Sequence, residues 1–211
     1  MGEPGAAERI GVFGGAFDPP HWAHVALARA ALEQLDLDRL YVFPTGHAWH
    51  KARVLAPAEH RWRMAEAAFG GLPRTQVDAE ELQRSGPSYT IDTLEALQRR
   101  HPGGRIFLII GSDQLEQLPT WHRWRELLDR CTLAVAQRGA SSSQALAQRL
   151  AEAAGLPAEG LAQRIHILRL PDMPWSSTEV RRRIRRGEPI LELVPPAVAG
   201  YIERHHLYGN S

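Results

Sequence analysis

The residues best suited to chemistry crowd into one stretch, "RIGVFGGAFDPPHWAH", residues 9–24. An apolar run ends in Gly14 and Gly15, then come Phe17, Asp18 and two prolines, and then His21 and His24 three residues apart. Glycines without side chains let backbone N–H groups approach an anion and tolerate the φ values such turns need. Pro19 and Pro20 stiffen the turn and lead into a helix starting near His21, whose first turn carries positive partial charge and free N–H groups. Imidazoles three residues apart lie on one side of that turn and add donors at the same place. The combination describes a cradle for a polyphosphate. Two other readings stand beside it: a tight turn followed by an ordinary histidine pair, and a metal site in which Asp18, His21 and His24 face one ion. The stretch is not a Walker loop, because the Gly-Lys-Ser/Thr ending is missing. Nor is "GVFGGA" a dinucleotide fingerprint, because it lacks the Gly-x-Gly-x-x-Gly spacing.

A second anion site is written in "WSSTEVRRRI", residues 175–184. Ser176 followed by Glu179 has the form of a capping box, which by itself accounts for a helix start. Arg181, placed beside the hydroxyls of Ser177 and Thr178 in the first turns, makes that start a place for an anion as well. Arg182, Arg183, Arg185 and Arg186 sit toward the helix C-terminus, where cations suit the dipole, and are expected to be mostly solvated. No Ser/His/Asp or Cys/His set suited to nucleophilic catalysis stands out.

These residues need a scaffold, and the pattern of the chain supplies one. Short β-rich runs alternate with segments of helical period: "RIGVF", residues 21–35, "RLYVF", residues 57–69, "TQVDAE" and residues 88–100. The alternation continues through "RIFLIIG", helices over residues 113–130, "CTLAVAQR", a helix over residues 144–154, and "RIHILRL". Such alternation builds βαβ units. Residues 106–110 and 132–136 are apolar without alternation, as in strands covered on both faces. The fold class is therefore α/β, a doubly wound, mostly parallel sheet, with a C-terminal helical part over residues 176–208 behind a Pro195-Pro196 helix start. In open parallel sheets ligands lie beyond the carboxyl ends of the strands, which directs attention to residues 14–24, 44–51, 111–113 and 137–138.

With 211 residues, 44% apolar and 23% charged, the chain has enough material for one core, and residues 1–211 are read as one domain with residues 1–8 as a flexible leader. A formal net charge of +1 gives no reason to expect nucleic acid or a membrane surface as partner. The single cysteine, Cys131, is expected in the core of a protein from a reducing compartment. No apolar run reaches the roughly 18 residues that span a bilayer, and the first ten residues lack the pattern of a signal peptide. A cytoplasmic location is expected, and a homo-oligomer is compatible with it.

"GGAFDPPHWAH" resembles the Gly-Gly-x-Phe-Asp-Pro-x-His-x-Gly-His signature of the nucleotidyltransferase superfamily, with Ala23 where a glycine is usual. "WSSTEVR" resembles that superfamily's Ile-Ser-Ser-Thr-x-x-Arg motif, with Trp175 in place of isoleucine. "FPTGHAWHK", "GPSYTIDTL" and "IIGSDQLEQLPTWHRWREL" are similar to stretches of bacterial nicotinate-nucleotide adenylyltransferases, so the likeness spans residues 9–208. It implies a Rossmann-like nucleotidyltransferase fold and transfer of AMP from ATP to nicotinate mononucleotide, giving nicotinate adenine dinucleotide and pyrophosphate in NAD biosynthesis.

By the same resemblance His21, His24 and Arg181 are the catalytic groups. Gly14, Gly15, Phe17, Gly111, Asp113, Arg138, Ser176, Ser177 and Thr178 bind ATP, with Mg²⁺ carried on the nucleotide and no metal held tightly by protein. His50, Lys51, Ser88, Tyr89, Thr90 and Trp121 bind the acceptor. Ala48-Trp49 departs from the two prolines usual before His-Lys, and "RGAS" after residue 137 departs from Arg-Pro-Gly. The alternatives are a sibling enzyme with another acceptor, such as nicotinamide mononucleotide, and a nucleotide sensor or RNA-binding module without turnover.

Overall fold

Three parallel registers fix the strands that follow one another from residue 9 onward. In a computed structural model describing residues 7–46, 55–84, 86–137, 142–171 and 173–209, β1 (Arg9–Gly15) pairs with β4 (Arg105–Gly111), Arg9 opposite Arg105 and Phe13 opposite Ile109. β4 pairs with β5 (Thr132–Gln137), Phe107 opposite Thr132, and β5 with β6 (Ile165–Arg169), Leu133 opposite Ile165. With β2 (Arg39–Pro44) and β3 (Thr75–Val77) the order is β3-β2-β1-β4-β5-β6, all parallel. The chain thus winds outward from β1 through β3, then returns so that β4 lies beside β1. This is the α/β doubly wound architecture that the alternation of apolar runs predicts.

The chain divides into two compact units. One holds β1 as far as Phe13, Ala30–Leu40 and Tyr89–Pro171. Its strands are as apolar as their sequence: Ile106 to Ile110 are each no more than 3% exposed, which is the burial expected of a strand covered on both faces. Among the described residues, α4 (Thr90–Arg100), α5 (Ser112–Gln117), α6 (Trp124–Arg130) and α7 (Ser143–Ala154) belong to it. α5 packs on β4, β5 and α7, while α4 packs on α6. At the last strand, the Gln34 side-chain amide donates to the carbonyl of Arg169 (2.8 Å) and accepts from its N–H (3.0 Å), so one side chain satisfies both backbone groups at the end of β6.

The other unit holds Gly14–Arg29, Tyr41–Ser88 and the residues after Pro171. It contains the start of α1 (Trp22–Gln34), α2 (Ala58–Phe69), the single turn α3 (Glu80–Gln83), α8 (Ser177–Arg185) and α9 (Pro196–Arg204). Its core is a cluster of Met64, Val180, Leu193, Val194, Val198 and Ile202, with Trp175, Tyr201 and Tyr208 packed against it. That cluster draws α2, α8 and α9 together, and Trp22 N–H donates to the Leu193 carbonyl (3.0 Å), tying in the start of α1. Among the described residues, no helix is long and apolar enough to cross a membrane.

Cys131 lies at the C-cap of α6, 8% exposed, with its Sγ–H donating to the Leu127 carbonyl (3.1 Å). Burial pushes its thiol up to about 12, so almost no thiolate exists at neutral pH. The folded protein should therefore resist a thiol-specific disulfide reagent at pH 8 and react once unfolded in guanidinium. Rapid reaction of the native protein would show that α6 opens more readily than its packing implies.

Candidate active site

The turn after β1 is built around Phe17, whose backbone is left-handed (φ 45°) and whose ring is 2% exposed. That ring folds over Gly15, where a Cβ would meet its edge at 2.9 Å, while a Cβ on Gly14 would meet nothing within 4 Å. Gly15 is thus required by packing, and Gly14 leaves the backbone open to a ligand. The Phe17 ring also stands edge-on to His24 (centroids 5.3 Å) and to Phe69 (5.2 Å), so it props an imidazole against the core.

His21 and His24 come together as the three-residue spacing predicts, with ring centroids 3.8 Å apart. His21 N–H donates to Nδ1 of His24 (3.2 Å). An Nδ1 that accepts leaves the proton of the neutral ring on Nε2. The hydrogen bond therefore fixes His24 as an Nε2–H donor at the start of α1, where Trp22 N–H donates to the Leu193 carbonyl and the N–H groups of His24 and Val25 donate to the His21 carbonyl. His21 is 7% exposed.

The second motif is clasped to the first. Arg181, 7% exposed, donates through Nη1 to the backbone carbonyl of Asp18 (2.5 Å) and through Nη2 to Thr178 Oγ1 (3.1 Å). Ser177 Oγ donates to the Pro19 carbonyl (2.8 Å). Ser176 is the N-cap of α8 and accepts from Glu179 N–H (3.2 Å). The return half of the expected box is replaced: the Glu179 carboxylate takes Arg182 and Arg183 instead, and these charge-assisted bonds hold its pKa down at about 2. Arg183 also pairs with Glu192, and Arg182 and Arg186 lie 3.7 Å from Glu188. Of the arginines expected to be mostly solvated, Arg182, Arg183 and Arg186 are thus matched by carboxylates on their own unit, and Arg185 is exposed.

Asp18 is 1% exposed, and Oδ1 accepts from Ala56 N–H (3.2 Å) and from the Tyr208 hydroxyl (2.7 Å). Of the two readings open for this residue, orienting partner or metal ligand, these bonds describe the first. Among the described residues no group of three or more His, Cys, Asp or Glu side chains could hold a metal ion.

Ser88 Oγ donates to the carbonyl of Glu81, within α3 (3.3 Å). In the other unit, Tyr89 is the extended N-cap of α4 (φ −108°, ψ 136°) and its ring stacks on His122 at 4.2 Å, while Thr90 opens the helix. The backbone N–H groups at this start are the donors expected to read an anion. Trp121 follows a 3₁₀ turn over Leu118–Thr120 and is half-buried, whereas Trp124, inside α6, is buried. Arg123, left-handed at φ 51°, pairs with Glu95 and Glu126 and pins the segment between them. Gly111 ends β4, its N–H donating to Gln114 Oε1 (3.0 Å), and Asp113 is exposed in the first turn of α5. His50, Lys51 and Arg138 lie outside the described residues.

One residue that the motifs do not mark organises the second unit. Arg61, 2% exposed, donates to the carbonyls of Ala56 (2.9 Å), Ala16 (3.1 Å), Thr45 (2.6 Å) and Gly46 (3.2 Å). It ties the turn after β1 to the loop after β2. Gly46 in turn packs so closely that a Cβ would lie 2.2 Å from the Glu81 carbonyl and 2.8 Å from Ser88 Oγ. The signal lies in the helix itself, because Arg61 shares the buried stripe of α2 with Met64, Ala65 and Phe69.

A profile described as cytidylyltransferase-like matches residues 12–183, and the chain belongs to that family. Its relatives within the family include proteins named probable nicotinate-nucleotide adenylyltransferase. The one from Albidiferax ferrireducens is 46% identical over 95% of this chain and 98% of its own length. That from Methylibium petroleiphilum is 45% identical over 95% and 92%. The fold is shared with the nicotinic acid mononucleotide adenylyltransferase of Plasmodium falciparum, solved in complex with APC and with NaAD. The TM-score is 0.74 at 18% identity over 95% of this chain and 97% of that one.

Replacing Arg61 with Met should remove about 3 kcal/mol of stability, because four part-buried carbonyls lose a donor together. Arg61→Lys should recover only a minor part, since an ammonium cannot span the four positions. Urea unfolding of both variants measures this, and a Met variant as stable as the native protein would show that the carbonyls find other donors.

Proposed function

We propose that this chain transfers AMP from ATP to nicotinate mononucleotide, forming nicotinate adenine dinucleotide and releasing pyrophosphate. The observation that carries the reading is the clasp between the Gly14–His24 turn and the start of α8, which gathers glycine backbone, two imidazoles, a guanidinium and two helix N-termini in one unit. The names of the relatives support it independently.

In this reaction the nucleophile is the acceptor's own phosphate. Its second pKa is near 6, so at neutral pH the monoester is largely a dianion and needs no general base. One of its oxygens bonds to the α-phosphorus of ATP as the bond from that phosphorus to the bridging oxygen of the β-phosphate breaks. The protein's work is to hold two anions together and to stabilise the charge that grows on the leaving pyrophosphate.

In our reading Gly14, Gly15, His21 and His24 hold the ATP phosphates, and the Nε2–H of His24 donates to an oxygen that gains charge. Arg181 acts from behind the turn, through the Asp18 carbonyl it holds, and Ser176, Ser177 and Thr178 keep α8 aimed at the same place. Gly111, Asp113 and Arg138 serve the nucleoside and phosphates, and His50 and Lys51 the acceptor phosphate. Mg²⁺ arrives with ATP as part of the substrate. The tethering of Arg182, Arg183 and Arg186 by carboxylates argues against an RNA-binding role for that helix.

Acid is distinguished from amide at the start of α4. N–H groups of Tyr89 and Thr90, with Ser88 before them and Trp121 as a platform, suit a carboxylate. A carboxamide would turn its NH₂ toward donors and leave a polar group unpaired, at about 1–3 kcal/mol, with the lost charge adding to that. Nicotinate mononucleotide should thus be preferred over the nicotinamide form by at least roughly a hundredfold in kcat/KM. Pyrophosphate release measured with each acceptor at equal ATP tests this, and equal rates would transfer the protein to the amide-using siblings. His24→Ala should lower kcat about a hundredfold, the equivalent of roughly 3 kcal/mol of transition-state stabilisation, with thermal unfolding little changed. Near-native turnover in a folded variant would remove His24 from the mechanism.

A further inference from the structure

Two consecutive residues of the segment that leads into α6 reach back to α4. The His122 ring stacks on the ring of Tyr89, with centroids 4.2 Å apart and planes 30° from parallel. Arg123, the N-cap of α6, donates through Nη2 to Glu95 Oε1 (3.0 Å), midway along α4, and through Nε and Nη2 to the two oxygens of Glu126 (2.8 and 2.6 Å). The Arg123 backbone is left-handed at φ 51°, a conformation that is strained in a non-glycine residue and persists where the surroundings hold it. The two carboxylates supply that hold. A single tie to α4 would leave the segment able to pivot. Two ties at different heights of the helix set its direction as well as its distance.

Trp121 directly precedes the tied pair, and its N–H donates to the Leu118 carbonyl (2.9 Å) at the close of the 3₁₀ turn. Its place relative to the start of α4 is therefore set by what His122 and Arg123 hold. The Tyr89 side chain does not cap its own helix, and its ring face is turned to His122 instead. We propose that His122 is a positioning residue for the pyridine acceptor: its stack on Tyr89 brings the Trp121 platform and the N–H groups at the start of α4 into one preformed site. Without the stack the segment is ordered only as the acceptor binds, and that ordering is taken from affinity. This rests on Tyr89, Thr90 and Trp121 forming the acceptor site, as proposed above.

His122→Ala deletes the stack and leaves the pairs of Arg123 in place. At saturating ATP the KM for nicotinate mononucleotide should rise about fivefold, the scale of one aromatic stack. Turnover and the KM for ATP should stay within about twofold of native, since a change confined to one substrate's KM marks lost binding rather than lost chemistry. The His122 side chain is exposed, so the thermal midpoint should stay within about 2 °C of native. His122→Phe keeps a flat ring over Tyr89 and removes both ring nitrogens, so it should return the acceptor KM to within about twofold of native. A native acceptor KM in His122→Ala, an equal rise in KM for both substrates, or a His122→Phe variant no better than His122→Ala would each overturn the role, the last by showing that a ring nitrogen meets the substrate. Native protein that releases no pyrophosphate with nicotinate mononucleotide would instead overturn the acceptor reading, and with it the site that His122 serves.

Discussion

The contact between the Arg181 guanidinium and the backbone carbonyl of Asp18 joins the two motifs that bear the chemistry. It is almost wholly buried, at 7% and 1% exposure of the two residues. A charge in such a place is tolerated only when its donors are used, and here the Asp18 carbonyl and the Thr178 hydroxyl use them. Neighbouring residues of α8 support this contact. Val180, one residue before Arg181, anchors α8 in the apolar cluster, Ser176 caps its start, and Ser177 bonds the carbonyl of Pro19, next to the one that Arg181 takes. Breaking the contact would leave the Ser177 bond to Pro19 as the remaining hydrogen bond between these two segments that is described above.

A second constraint is charge balance at close range. The turn concentrates donors, as an anion site must, yet the same unit carries a row of arginines only a helical turn further along α8. Glu179, Glu188 and Glu192 occupy those arginines.

Much of the scaffold was legible because its signals are short-range. The unbroken apolar runs at residues 106–110 and 132–136 became central parallel strands, and the Pro19-Pro20 stiffened turn gave way to α1 one residue beyond His21. The three-residue spacing of His21 and His24 was enough to bring their rings together. What the sequence hid was of two kinds. α3 is four residues long, too short for a periodic pattern to show. The other kind is competition: Glu179 had the right spacing for a reciprocal cap, but stronger acceptor bonds to Arg182 and Arg183 were within reach. Arg61 was in principle visible as a charge on an apolar helical stripe, whereas the bond of Tyr208 to Asp18 depends on how distant segments pack and leaves no local mark.

The distances along the chain between bonded partners carry a consequence for how the protein comes into being. Arg181 and Asp18 are 163 residues apart in sequence, and Tyr208 and Asp18 are 190 apart. Closing loops of that length is entropically slow work that local contacts cannot begin, and during synthesis the N-terminal segment emerges long before its partners exist. The Gly14–His24 turn must therefore wait on the ribosome in an unfinished state, its glycines and histidines exposed but not yet braced. A chain released before residue 181 would carry the whole first motif, with Arg61 and Ala56 bonded to it, and would lack the bonds from Arg181 and Tyr208. Completion of translation and completion of the bonds around this turn are, in this topology, nearly the same event.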